Sequence, residues 1–172
     1  PVDSIYLMTD EPALFEDILQ VMHEDRMREL EARLHGLHAD TFWLTENTSS
    51  TLINPGMFKR WCVPHLRDYG NKVLEHGIIP VHHMCGKLSA LLDDINTLPA
   101  LANEAFTTPP VGDTTLADGR RRMPSKALIG GTSAALWLEP VDVIVESVAK
   151  DLAECPDRRG IFLTSAGVLP AQ

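Results

Sequence analysis

With 172 residues, 44% of them hydrophobic and 23% charged, the chain carries enough apolar side chain for one compact domain spanning 1–172. A net charge of −9 and a pI near 5.1 argue against binding a nucleic-acid backbone, and the densest basic run, Arg120-Arg121-Arg122, reads as a solvated helix end. No apolar run reaches the roughly 18 residues of a membrane span; Cys62, Cys85 and Cys155 stand far apart with no CxxC pair, which suits a reducing cytoplasm.

Residues 1–9 are mildly apolar and read as a strand or an entry loop. Asp10 as N-cap, with Glu11 and Pro12 in the first turn, then opens an amphipathic helix through Leu14, Ile18, Met22, Leu30 and Leu37. A strand at 41–45 (Thr-Phe-Trp-Leu-Thr) ends in the polar run Glu46-Asn47-Thr48-Ser49-Ser50. Asn54-Pro55 is a cap followed by proline at the first helical position, and Pro64 should kink or restart that helix before it stops at His76-Gly77.

A buried strand at 78–82 leads into His82-His83-Met84-Cys85-Gly86-Lys87, and a helix is expected over 87–95. Residues 103–107 form a further strand candidate, followed by the stiff loop Thr108-Pro109-Pro110-Val111-Gly112-Asp113 and a short helix from Thr114 to about Arg122. A strand at 126–130, a helix opened by Pro140 with Val141, Ile144, Val148 and Leu152 on one face, and a strand at 161–165 complete the pattern. Strands alternating with helices, with no hairpin signal between them, predict an α/β protein with a parallel sheet.

In such folds ligands bind where strands end. The polar residues at those junctions are therefore the candidate site: Glu46 and Asp113 for catalysis, Asn47 and Ser165 for substrate contact, His83 and Cys85 for metal. His83 and Cys85 are two apart, so an imidazole nitrogen and a sulfur can converge, and nitrogen with thiolate is a zinc donor set. A hydrogen-bonded histidine beside a small buried cysteine is the plainer reading of the same spacing. Glu46 and Asn47 equally suit a charged surface loop, and Asp113 either orients a ligand or caps the helix at Thr114. His82, alternating away from His83, is expected to pack against helices. No glycine-rich phosphate loop is present, so nucleotide binding has little support.

Taken together, the stretches 46–55, Pro64-His65-Leu66, 82–87, 108–113 and Leu128-Ile129-Gly130-Gly131 resemble the uroporphyrinogen decarboxylase superfamily. The HxCG motif at 83–86 is most similar to its zinc-dependent, corrinoid-linked methyltransferase branch. The resemblance implies a TIM barrel, of which five strand candidates supply the C-terminal half: a fragment, an expressed domain or one chain of an assembly. Open sheet edges then imply self-association or a complementing N-terminal half. It further implies zinc held by His83 and Cys85, a small thiol substrate, and a corrinoid, free or protein-borne, as methyl donor. The third cysteine ligand of that branch has no counterpart in Thr164-Ser165-Ala166-Gly167-Val168-Leu169-Pro170. It lies beyond Gln172, is replaced by another group, or is lost. The alternatives are a decarboxylase of the same superfamily and a truncated subunit without catalysis.

Overall fold

In the computed structural model, residues 2–166 are described, and they form a five-stranded parallel sheet in the order β1-β2-β3-β4-β5. The strands are β1 Thr41–Thr45, β2 Ile79–His83, β3 Ala102–Phe106, β4 Ala127–Thr132 and β5 Ile161–Ser165. Each neighbour in space is the next in sequence, the arrangement of consecutive (β/α) units in a barrel that has not closed. The predicted α/β class, the strand count and the parallel pairing all hold. The bounds of β1 and β5 match, β2 and β3 shift by one residue, and β4 starts one residue and ends two residues later than expected.

The N-terminal segment departs from expectation. Val2–Asp10 is a helix (α1), not a strand, and a second helix, α2, runs from Pro12 to Leu34. Asp10 closes α1, so the cap position of α2 falls on Glu11, whose side chain makes no capping bond. Only the C-terminal end of α2 is buried: Leu30 and Leu34 pack with Leu44 of β1, Val73 and Ile78.

After β1, Asn54 accepts the Met57 N–H at 3.0 Å and starts α3 (Pro55–Met57), as its position before Pro55 predicted. A π turn over Phe58–Cys62 then joins α3 to α4 (Val63–Glu75). Pro64 has no N–H to give the ladder, and the wider turn just before it absorbs the break. Gly77 ends this unit at φ +74°, a conformation a side chain disfavours.

The principal core lies between the sheet and the helices that follow it. These are a 3-10 turn at Ser89–Leu91 running into α5 (Leu92–Asn96), α6 (Leu116–Arg122) and α7 (Val141–Glu154), itself preceded by a 3-10 turn at Ala134–Leu138. Phe58, Leu66, Leu92, Phe106, Met123 and Leu128 are central to it and almost inaccessible. Ala105 sits at φ +57°, and the β3–β4 register slips between Asn103 and Phe106. Strict alternation would put Phe106 on the same face as Glu104; the bulge turns it back toward α6. There Gly119 leaves the space it needs, since a Cβ would lie 2.5 Å from Phe106 Cζ.

The capping of α6 falls on Thr115 rather than Thr114: Thr115 Oγ1 accepts the Asp118 N–H and the Asp118 carboxylate accepts the Thr115 N–H. The basic run at its end is not uniformly solvated. Arg120 is buried and donates to the carbonyls of Pro124, Lys126 and Arg159, at 3.0, 2.9 and 2.8 Å. Arg121 and Arg122 pair with Asp118 and Asp93.

The other sheet face is concave and carries no helix among the described residues. Trp43 and Phe162, on β1 and β5, are 51% and 59% exposed there. Among the described residues no helix is long and apolar enough to cross a membrane.

Candidate active site

Register builds the site. Thr45, His83 and Glu104 stand side by side on β1, β2 and β3. Leu44, His82 and Asn103, one position earlier, form the matching row on the helix face. Leu44 belongs to the core under α2 and α4, which fixes His83 and Glu104 on the concave face. His82 is 1% exposed among the helices, as expected; burial first, and the Lys126 charge second, push its pKa down to about 4.

The Glu104 carboxylate pairs with His83 Nδ1. An Nδ1–H that donates to a carboxylate is the tautomer that leaves the Nε2 lone pair available, as in a metal-ligating or proton-accepting histidine. Glu104 itself is mostly buried and anchored through its backbone, because the Met84 N–H donates to its carbonyl at 3.1 Å. Glu104 is not among the residues the sequence singles out; its one signal is a charged side chain inside the short strand Ala102–Phe106.

Cys85 follows in the turn after β2, and its thiol donates to Asn47 Oδ1 at 3.4 Å. Asn47 is held at φ +40°, in the left-handed region that asparagine tolerates better than most residues. The loops after β1 and β2 are tied together beside this contact. Ser50 N–H donates to the Lys87 carbonyl at 2.8 Å, and Lys87 N–H donates to Ser49 Oγ at 3.2 Å. Gly86, at φ +122°, lets them touch, since a Cβ would lie 2.9 Å from the Ser49 side chain.

The remaining candidates do not join this group. Glu46 donates its N–H to the His83 carbonyl, but its side chain shares the face of Leu44. It lines a cavity of about 530 Å³ between α2 and α4 with His23, Cys62, His65 and Tyr69. Burial there raises its carboxyl to about 7, against a partial opposing pull from Arg26. Asp113 accepts the Ser89 N–H at 2.9 Å, so it caps the 3-10 turn ahead of α5 and not the helix beginning near Thr114. Ser165 ends β5 opposite Thr132, with β3 and β4 between it and His83. Among the described residues no three His, Cys, Asp or Glu side chains are grouped to hold a metal ion. Residues 167–170 of the motif searched for a third ligand lie outside the described residues.

A half-open (β/α) array, with a carboxylate–histidine pair and a thiol at the C-terminal ends of neighbouring strands, has the architecture of part of a TIM barrel. The family model described as Uroporphyrinogen decarboxylase (URO-D) matches residues 3–172, and the chain belongs to that family. Its fold is similar to that of a solved methyltransferase from Methanosarcina mazei, with a TM-score of 0.76 at 19% identity. That similarity covers 96% of this chain and 47% of the other, so the chain spans about half the length of that protein. No curated protein matches the chain.

Proposed function

We propose that this chain carries the metal-binding part of a zinc-dependent methyltransferase site that moves a methyl group from a corrinoid to a small thiol. The observation that carries the reading is His83, paired through Nδ1 with Glu104 and two residues before the thiol of Cys85. A donor pair of imidazole and thiol backed by a carboxylate suits zinc, and His83 and Cys85 would hold the ion. Zinc, when bound, lowers the pKa of a coordinated thiol and so supplies a thiolate at neutral pH. The residues of the chain do the positioning. Glu104 fixes the tautomer of His83, and Asn47 orients the Cys85 thiol. The URO-D family membership and the methyltransferase fold relative support the same direction.

Two protein donors fall short of the three or four that zinc sites use. The open edges of β1 and β5 and the exposed Trp43 and Phe162 favour a partner that completes the barrel, either a second copy or a complementing N-terminal half. The absence of any CxxC pair favours the cytoplasm.

Cobalt loading tests the metal reading, because a cobalt–thiolate bond gives a near-ultraviolet charge-transfer band. The band should form on the chain and vanish in Cys85→Ser and His83→Ala, while Cys62→Ser and Cys155→Ser keep it. A band that survives Cys85→Ser sinks the proposal.

A further inference from the structure

A second cavity, of about 270 Å³, opens between the loop after β3, the turn after β4 and helix α7. Neither His83 nor Cys85 lines it. Its lining combines apolar Pro109, Pro110 and Leu136 with polar Ser133, Ser147 and Asp151. Ser133 is 1% exposed, and its hydroxyl has no hydrogen-bond partner. A hydroxyl buried without a partner is costly, and an arriving ligand that bonds to it recovers that cost. Ser147 and Asp151 lie on α7 one helical turn apart, so both side chains face the same way.

We propose that this cavity binds a small organic ammonium ion, its N–H groups donating to the Asp151 carboxylate and the two serine oxygens, its alkyl part against the prolines. The acceptors outnumber the donors, and Glu139 at the rim adds negative charge, so a cation is favoured over an anion. The cavity lacks the three-donor grouping a metal ion needs. Burial and the Glu154 charge, partly opposed by Lys150, hold the Asp151 carboxyl above its usual range, and a cation seated beside it favours the charged carboxylate. The proposal stands independently of the zinc reading, since none of His83, Cys85, Glu104 and Asn47 lines this cavity.

The test is an amide chemical-shift titration of the full chain with n-butylammonium chloride, against sodium chloride and sodium butyrate at equal ionic strength. Saturable shifts centred on Ser133, Ser147 and Asp151 should appear with butylammonium alone. Asp151→Asn should weaken binding at least tenfold and Ser133→Ala several-fold; Glu146→Gln, on α7 but away from the cavity, should leave it within twofold. Ser147→Ala serves in place of Ser133→Ala if that variant does not fold. Equal shifts with sodium chloride, saturation by butyrate, or unchanged binding in Asp151→Asn overturns the proposal.

Discussion

Replacing Lys126 by methionine should change how the stability of this protein responds to alkaline pH. Lys126 precedes β4, is 6% exposed, and donates through Nζ to the carbonyls of Leu98 and Ala100 at 2.6 and 2.5 Å. Burial pushes its pKa from the ordinary 10.5 down to about 8. Below pH 8 both folded and unfolded chains carry the proton, and the cost of burying the charge is fully in force. Between pH 8 and 10.5 the folded chain releases its proton while the unfolded chain keeps it, so stability rises with pH. The gap of about 2.5 pH units corresponds to about 3.4 kcal/mol at 1.36 kcal/mol per unit. With a urea m-value of roughly 2 kcal/mol/M, that is a midpoint shift of about 1.7 M. Urea unfolding followed by circular dichroism at pH 7 and pH 10.5 measures it. The wild-type midpoint should climb relative to Lys126→Met by about that amount, because other titrating groups are common to both proteins and cancel. A difference between the two proteins that stays constant across this range would falsify the assignment of Lys126 as a desolvated cation.

Three further outcomes are expected. Glu104→Gln should weaken zinc or cobalt affinity by about 10–100-fold, measured by competition with a chelator, because the amide orients His83 less firmly; equal affinity would leave Glu104 a purely structural residue. Gly119→Ala should destabilise by about 1–3 kcal/mol in the same urea assay, since its methyl overlaps Phe106 and Leu128, and a neutral result would mean α6 is free to move away. Cys62, pushed up to about 11 by burial first and the Glu46 charge second, should hold roughly one part in a thousand as thiolate at pH 8 and resist iodoacetamide; rapid alkylation mapped to Cys62 by peptide mass would contradict that environment.

Local signals sufficed for much of the architecture. Apolar runs such as Thr41–Thr45 and Ile161–Ser165, separated by capped helical patterns, define five strands, and the lack of hairpin turns makes them parallel. Asn54 before Pro55, and Gly77 after α4, mark helix ends through chemistry confined to a few neighbouring residues. The concentration of polar residues after strands likewise follows from chain direction, since parallel strands end on one edge. His83, Cys85 and Asn47 stand at such strand ends.

Which of those polar groups meet is decided by register, and register belongs to pairs of strands rather than to either one. Glu104 reaches His83 because β2 and β3 align them across the sheet, 21 residues apart in sequence. Glu46 follows β1 as predicted, yet it shares the parity of Leu44, and only packing against α2 and α4 reveals that this parity is the helix face. Asp113 spends its carboxylate on the Ser89 N–H, a partner supplied by another loop. The left-handed Ala105 inverts the alternation within β3 and sends Phe106 into the core, against the period that the residues before it set. Arg120, placed by composition among solvated cations, is drawn inside because three carbonyls from separate segments converge on it. A side chain's direction follows from its own backbone, but its partners are fixed only when distant segments are brought to within hydrogen-bonding range.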